Sequence, residues 1–481
     1  MKLKDILKGI DYTILQGSDD IEIANVQYDS RKISKDSLFV CITGFKTDGH
    51  KYIASAAEKG SAAFSVEKDV EMIEGLTYVK VENNREALAK MASNVYYAPS
   101  AKMNLVGVTG TNGKTSTTYI IKSVLDRLGH KVGVIGTIEN RIGDKVIHAD
   151  RTTPESLELQ ELFNEMYEEK VTDVCMEVSS HSLDLHRVDC CDFDIAIFTN
   201  LTQDHLDYHI TMENYRNAKG ILFERCLKNV INIDDAAGEY MKSVSKGEVL
   251  TTGIENDADL KAEDIDITAD GVTFTLRYKG EKYPVSLNIP GKFSIYNALG
   301  SIGACLFMGI DMETIIAGLK DIQGVRGRFQ SIKGKNGVSA VVDYAHTPDG
   351  LENILNTAKE FVKGRIITVF GCGGDRDRTK RPIMGEIAGN LSDYCIITSD
   401  NPRTEDPERI LDDIEPGTAK TGCEYIKIID RREAIFYAVK IAKENDLVVV
   451  AGKGHEDYQI FADRTIHFDD KEVVEEAFAE A

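Results

Sequence analysis

Short apolar runs alternate along this chain with longer stretches in which apolar residues recur every three or four positions, and that alternation sets the expected architecture. Asn104–Val108 is an apolar run suited to a buried strand. A glycine-rich turn follows. Apolar residues then fall at 120, 121, 124, 125 and 128, a helical spacing closed by Gly129. Val132–Ile135 is the next apolar run, so the segment reads as strand, helix, strand and predicts a parallel sheet. Ile366–Phe370, Tyr394–Thr398 and Leu447–Ala451 repeat the habit, again separated by helix-length patterns.

Two zones interrupt the pattern. Tyr96-Tyr97-Ala98-Pro99-Ser100 ends the helical spacing of Arg85–Val95, because Pro99 disfavours helix in the residue before it. Gly324–Lys335 is a Gly-, Arg- and Lys-rich connection between a helix pattern (Met312–Leu319) and a strand pattern (Val338–Val342). The expected fold is therefore α/β in three domains. They are a small N-terminal α/β domain (1–98), a central P-loop-type domain with a parallel sheet (99–330) and a C-terminal Rossmann-like domain (331–481). No repeat of fixed period and no low-complexity segment is visible.

Composition narrows the function. The 481 residues are 42% hydrophobic and 28% charged, which excludes disordered and collagen-like classes. Lys and Arg number 57 against 79 Asp and Glu, a net charge of −22 that disfavours nucleic-acid and anionic-membrane partners. Any basic site must be local. The nine cysteines are scattered without a Cys-x-x-Cys pair and read as reduced core residues. Met1–Asp11 lacks the apolar centre of a signal peptide, and no stretch of about 18 apolar residues occurs, so a cytoplasmic location is expected.

Between the first strand and helix of the central segment lies Thr109-Gly110-Thr111-Asn112-Gly113-Lys114-Thr115-Ser116. Glycines let backbone N–H groups approach phosphate oxygens, Lys114 can neutralise the β/γ-phosphates, and the Thr115 hydroxyl can sit on Mg²⁺. The strict pattern asks for Gly where Val108 stands, so a plain glycine-rich turn is the alternative; the strand–loop–helix context favours a nucleotide. Glu177 in Cys175–His181 and His205 in Asn200–His209 also follow strand patterns. Ligands in open α/β sheets bind at the carboxyl ends of strands, so both should face the crevice of Lys114 and could hold Mg²⁺. Zinc is the weaker reading, since no Cys lies nearby and ATP chemistry favours oxygen donors. Lys219 by itself reads as a solvated helix lysine.

Three more strand patterns run into polar loops: Gly371–Asp377 with Arg376, Asp400-Asn401-Pro402-Arg403, and Gly452–Glu456. Their convergence would combine forked guanidinium donors with carboxylates, the composition of an amino-acid site. The alternative is three glycine-rich turns with solvated charges. Asp343–Pro348 adds a fourth loop, whose aromatic Tyr344 and carboxylate Asp343 suit a base and ribose as well as they suit a plain turn before a Pro.

The ordered set of Thr109–Thr115, Glu177–His181, Asp204–His209, Tyr296-Asn297-Ala298, Gly327-Arg328-Phe329 and Asp343–Asp349 resembles the core motifs of the Mur ligases, ATP-dependent amide-forming enzymes of peptidoglycan precursor synthesis. Asp29-Ser30-Arg31 and Asp48-Gly49-His50 resemble uridine-diphosphate-binding elements, and Asp400–Arg403 resembles the family's recognition motif for meso-diaminopimelate. The resemblance implies an ATP-dependent ligase that adds meso-2,6-diaminopimelate to UDP-N-acetylmuramoyl-L-alanyl-D-glutamate through an acyl phosphate. A lysine-adding relative or a folylpolyglutamate-type ligase is the alternative.

The same resemblance implies residue roles. Gly110, Thr111, Asn112, Gly113, Lys114, Thr115, Ser116, Asn297, Asp343 and His346 would bind ATP, and Arg328 would contact its γ-phosphate. Thr115, Glu177, His205 and Lys219 would serve Mg²⁺, with Lys219 as a carbamate. Lys114, Lys219, His205 and Arg328 would form the catalytic group. Ser30, Thr152, Thr153, Ser179 and Arg187 would contact the UDP substrate. Arg376, Asp400, Asn401, Pro402, Arg403, Gly452 and Glu456 would bind the incoming amino acid. The chain departs from the pattern at Leu185, Arg151 and Gln330. ATP and Mg²⁺ are the expected cofactors, and a monomer the expected state.

Overall fold

The computed structural model describes residues 1–45, 47–268, 270–322, 324–334 and 337–481, so the last residue of the Gly324–Lys335 connection lies outside the described residues. The chain divides into two compact units, Met1–Thr251 with Gly303–Gly309, and Thr252–Ile302 with Ile310–Ala481.

The first unit contains a five-stranded sheet in the order Thr13–Gln16, Thr77–Lys80, Ser61–Val66, Ser37–Val40, Asn25–Gln27. All pairings are parallel except the first. Period-two alternation divides its side chains between two cores. Leu38 and Val40 join Leu3, Ile6, Leu88 and Met91 of two helices on one face, while Phe39, Phe64 and Tyr78 pack with Ile53 and Ala56 on the other. Each such buried aliphatic side chain contributes about 1.5–3 kcal/mol relative to exposure. The helix Asn84–Val95 starts where Asn83 accepts from the Arg85 N–H at 2.9 Å.

The larger sheet of this unit has a parallel centre ordered Lys228–Asn232, Ile195–Phe198, Asn104–Thr109, Asp173–Glu177, Val132–Ile135. The two strands beyond it, Glu139–Ile142 and Lys145–His148, are antiparallel. The expected parallel sheet is thus parallel only at its centre. The edge hairpin turns through Gly143, which has φ +58°, a conformation that lets the chain reverse without a crossover. Asn104–Thr109 lies between strands that leave it in opposite directions, and this places its following loop at a topological switch point.

In the second unit, Leu260–Thr268, Gly271–Tyr278 and Glu281–Leu287 form an antiparallel meander. A six-stranded sheet runs Gln330–Lys333, Ser339–Asp343, Leu447–Ala451, Ile366–Phe370, Tyr394–Ile397, Glu424–Lys427, parallel except at its first pair. Helices cover both faces. Ile366 and Phe370 pack with Leu351, Met384 and Ile414, whereas Ile367 and Val369 pack with Ile435, Ala438 and Val474. A strand buried on both faces reads as a continuous apolar run, as Leu447–Ala451 does.

Candidate functional site

Gly110 turns the loop after Asn104–Thr109 with φ +152°, and a Cβ there would lie 1.9 Å from Thr199 Oγ1, so glycine alone fits. The next residues are tied to the neighbouring strand end. The Thr111 N–H donates to the Asn200 carbonyl and the Asn112 N–H to Asn200 Oδ1, each at 2.9 Å. The helix Lys114–Arg127 closes its first internal bond from the Thr117 N–H to the Gly113 carbonyl at 2.9 Å. The N–H groups of Gly113, Lys114, Thr115 and Ser116 therefore make up the N-terminal, positive end of the helix. The Lys114 ammonium donates to the carbonyls of Gly110 and Thr111 at 2.9 and 2.8 Å.

Glu177, the last residue of its strand, is buried opposite this helix end. Its Oε1 accepts from Thr115 Oγ1 and from the Thr137 N–H, and its Oε2 accepts from Thr137 Oγ1, all at 2.9 Å. Lys219 corrects the reading of a solvated lysine: it is 1% exposed, on the face of Met212–Arg225 that also buries Tyr215, Ala218, Leu222 and Phe223. Its ammonium donates to the Gly110 carbonyl at 2.9 Å and lies 4.5 Å from the Tyr215 ring centre. Burial, with the charge of Lys114, pushes its amine well below the usual lysine range. The His205 ring meets Tyr215 edge to face, 6.0 Å between centres, and His181 at 4.9 Å. Burial lowers the His205 imidazole against the opposing pull of Asp204, and Lys114 and Lys219 lower it further.

Four of the residues expected at the UDP substrate gather beside Glu177. Thr137 and Thr152 share a hydroxyl contact at 3.0 Å, Thr153 Oγ1 donates to the Glu177 carbonyl at 2.9 Å, and the Ser179 N–H donates to Thr153 Oγ1 at 3.2 Å. Arg187 donates to the Thr153 carbonyl at 3.2 Å and pairs with Glu155 at 3.0 Å. Arg151 binds the same carboxylate at 2.6 Å. Ser30 stands apart in its turn, its carbonyl accepting from Lys59 at 2.8 Å.

The second unit holds the other residues. Asp343 ends its strand and accepts from the Phe329 N–H at 2.7 Å, while burial raises its carboxyl against the pull of Arg328. The Arg328 guanidinium lies 5.0 Å from the Tyr344 ring centre, and that ring meets His346 at 4.5 Å and His455 at 4.7 Å. The His346 Nδ1 donates to the Tyr344 carbonyl at 2.8 Å, and burial lowers its imidazole. Asn297 is buried on the helix Lys292–Phe307, its carbonyl accepting from Ser301 at 2.8 Å. Gln330 Oε1 accepts from the Gly327 N–H at 3.0 Å, bracing the Arg328 turn.

The three polar loops converge. Asn401 donates to Glu456 at 2.8 Å, the Gly374 N–H donates to the Asn401 carbonyl at 2.9 Å, and Arg403 Nη1 donates to the Gly374 carbonyl at 2.8 Å. Asp400 is buried with its Oδ2 2.6 Å from where a Cβ on Gly452 would stand, so the two loops touch. Pro402 is buried; Arg376 is exposed on its loop. The arrangement presents a half-buried guanidinium above carboxylates and carbonyls, a surface for a ligand carrying both carboxylate and ammonium groups.

Three family models match the chain: Mur ligase family, catalytic domain, over 22–96; Mur ligase middle domain over 108–305; and Mur ligase, glutamate ligase domain, over 327–454. A UDP-N-acetylmuramoyl-L-alanyl-D-glutamate--2,6-diaminopimelate ligase of Clostridium botulinum is 54% identical over 100% of both chains, and one of Clostridium tetani 52% identical over the same share. The chain belongs to the Mur ligase family. A solved structure of a UDP-N-acetylmuramoyl-L-alanyl-D-glutamate--2,6-diaminopimelate ligase superposes with a TM-score of 0.74 at 32% identity, covering 100% of this chain and 99% of the other.

Several residues of this Mur ligase reach the two clusters without having stood out in the sequence. Thr137, which holds both oxygens of Glu177, lies two residues beyond the strand Val132–Ile135, so the strand-end rule that selected Glu177 covers it as well. Lys453 is fully buried between two glycines and donates to Glu456 at 3.0 Å and Asn401 at 3.3 Å. Lys380 donates to the His346 carbonyl at 2.9 Å. No sequence signal separates these lysines from solvated ones.

Proposed function

We propose that this chain is the ATP-dependent ligase that joins meso-2,6-diaminopimelate to the D-glutamate carboxylate of UDP-N-acetylmuramoyl-L-alanyl-D-glutamate. The observation that carries the reading is the meeting of Asp400, Asn401 and Arg403 with Gly374 and with Gly452 and Glu456 at three strand ends. Identity above half over the whole length with ligases of that name supports it. Residues 1–98 would carry the uridine end, 99–330 the ATP chemistry, and 331–481 the incoming amino acid. Ser30 and the Thr152, Thr153, Ser179 and Arg187 group would hold the UDP substrate, and Arg376 would close on the amino acid from its exposed loop. Asn297, Asp343 and His346 would take adenine and ribose. Among the described residues no helix is long and apolar enough to cross a membrane. We assign the chain to the cytoplasm as a monomer.

A carboxylate is a poor electrophile. ATP would phosphorylate it, and the amine of diaminopimelate would attack the acyl phosphate, giving amide and phosphate. The first step brings two anions together. The N–H groups from Gly113 to Ser116 would accept the phosphate oxygens, and Lys114 would exchange its loop carbonyls for them. Arg328 would balance charge on the transferring group. Burial lowers the Lys219 amine and so favours its neutral form, which would be able to take up CO2 as a carbamate. No group of three or more His, Cys, Asp and Glu gathers among the described residues. The Thr115 hydroxyl and Glu177 carboxylate are nevertheless hard oxygen donors 2.9 Å apart, burial lowers the His205 imidazole toward its metal-binding form, and the set fits Mg²⁺. Thr115, Glu177, His205 and the Lys219 carbamate would hold the ion, which supplies charge neutralisation.

The test is phosphate release by purified protein with ATP, Mg²⁺ and the UDP-dipeptide, comparing meso-diaminopimelate, L-lysine and no amino acid. Turnover with diaminopimelate alone is expected. Preference for lysine would overturn the reading of Arg403, and turnover with neither would overturn the ligase assignment.

A further inference from the structure

One buried guanidinium fuses the two loops around Arg403. Arg381, near the start of the helix Lys380–Leu391, is 0% exposed, and Glu405 takes both its arms, with Nη1 donating to Oε2 at 2.9 Å and Nη2 to Oε1 at 2.8 Å. Nη2 also donates to the Gly373 carbonyl at 3.2 Å, and Nη1 to Asp413 at 2.8 Å. Arg381 therefore holds the Gly371–Asp377 loop and the segment after Arg403 at the same time. Glu405 returns the tie, accepting from the Asp375 N–H at 2.6 Å. Thr404 Oγ1 adds a bond to Asp375 Oδ1 at 2.7 Å.

The Gly374 carbonyl sits inside this bracket, and it is the group that aims Arg403. Gly374 is pressed so close that a Cβ would lie 1.9 Å from the Pro402 carbonyl oxygen. One arm of the Arg403 fork is committed to the Gly374 carbonyl at 2.8 Å, which leaves the rest of the fork to face a ligand carboxylate. A bidentate contact needs that fork held within fractions of an ångström and about 10–20°.

We infer that Arg381 and Glu405 are positioning residues that set selectivity for a second carboxylate on the amino-acid substrate, acting through Gly374 on Arg403. Neither is placed against substrate. The inference rests on the proposed function and extends it from the residue that contacts the ligand to the pair that aims it.

The experiment measures kcat/KM for meso-diaminopimelate and L-lysine in wild type, Glu405→Gln, Arg403→Ala and the double variant, with thermal melts to establish folding. Glu405→Gln is expected to lower the diaminopimelate-to-lysine ratio about tenfold, through KM for diaminopimelate, with kcat within about twofold. In the Arg403→Ala background the same change is expected to leave the ratio unmoved, because the group it acts through is gone. A merely structural role would lower activity with both amino acids together. Thr404→Val, at an exposed position, supplies a second variant should Glu405→Gln not fold, with a loss of about threefold in the ratio expected. A folded variant with the wild-type ratio, or an equal loss of ratio with and without Arg403, overturns the inference. Wild type that uses neither amino acid fails the functional reading instead, so the two failures are separable.

Discussion

The buried basic side chains of the phosphate-loop cluster and those that brace the amino-acid loops are held by different partners. Lys114 and Lys219 donate to the carbonyls of Gly110 and Thr111, which are neutral. Around the amino-acid loops the fully buried Arg381 and Lys453 lie against the carboxylates of Glu405 and Asp413 and of Glu456, whereas Arg403 donates to a carbonyl, that of Gly374. A carbonyl orients a side-chain amine without supplying a countercharge of its own, so these bonds leave the Lys114 ammonium its charge toward an arriving anion. A carboxylate cancels the charge and fixes geometry. The second region is thus built to discriminate shape and the first to attract.

Lys114→Ala should break the attracting region most severely. Phosphate release is expected to fall by about 10³-fold or more, because phosphoryl transfer depends on electrostatic stabilisation. A loss under tenfold would remove the distinction between the regions. Arg403→Ala should strike the other side, lowering the diaminopimelate-to-lysine ratio of kcat/KM by about 10²-fold or more, since lysine no longer leaves a guanidinium unpaired. An unchanged ratio would show that selectivity lies elsewhere.

Two glycines sharpen the contrast. Gly110→Ala meets Thr199 Oγ1 at 1.9 Å and the Asn200 backbone at 3.0 Å, whereas the one contact under 3 Å for Gly452→Ala is a side-chain oxygen, Asp400 Oδ2 at 2.6 Å. Strain of about 1–3 kcal/mol is expected at Gly110, measured by denaturant unfolding, with the smaller part of that range at Gly452. Acid supplies the weakest probe. The bonds from Arg381 hold the Glu405 carboxyl down to about 2 from 4.5. A depressed carboxylate stabilises the fold above its unfolded value, and that contribution drains away as pH falls from 4.5 toward 2. Glu405→Gln should therefore be less stable than wild type at pH 6 by about 1 kcal/mol, discounted for its partly exposed side chain, and the gap should close near pH 2. A gap independent of pH would mean that the pair acts through packing.

The central strands were legible because they are buried on both faces: Val132–Ile135, Ile366–Phe370 and Leu447–Ala451 match the apolar runs residue for residue. The meander was not, since Leu260–Thr268 buries only alternate residues and carries Glu263, Asp264 and Asp266 between its apolar ones. The phosphate loop and the convergence of the polar loops followed from strand ends. Lys219 was knowable only by resemblance, although it occupies the buried stripe of its helix with Tyr215, Leu222 and Phe223. Read as a charge it belongs outside; read by its position it belongs in the core. Arg381 likewise opens the buried stripe of its helix with Met384, Gly385 and Ala388, whereas Lys453 lies in a loop and its burial arises from loops that meet only after folding.

Arg403 also has φ +53°, in the left-handed region that glycine occupies freely and a branched chain does not. The residue proposed to recognise the substrate is therefore a local source of instability, which its neighbours outweigh. Evolution toward a looser substrate range would run downhill here. Arg403→Gly relieves the backbone at the same stroke that removes the guanidinium, so it should be more stable than Arg403→Ala by about 1 kcal/mol while being no more selective.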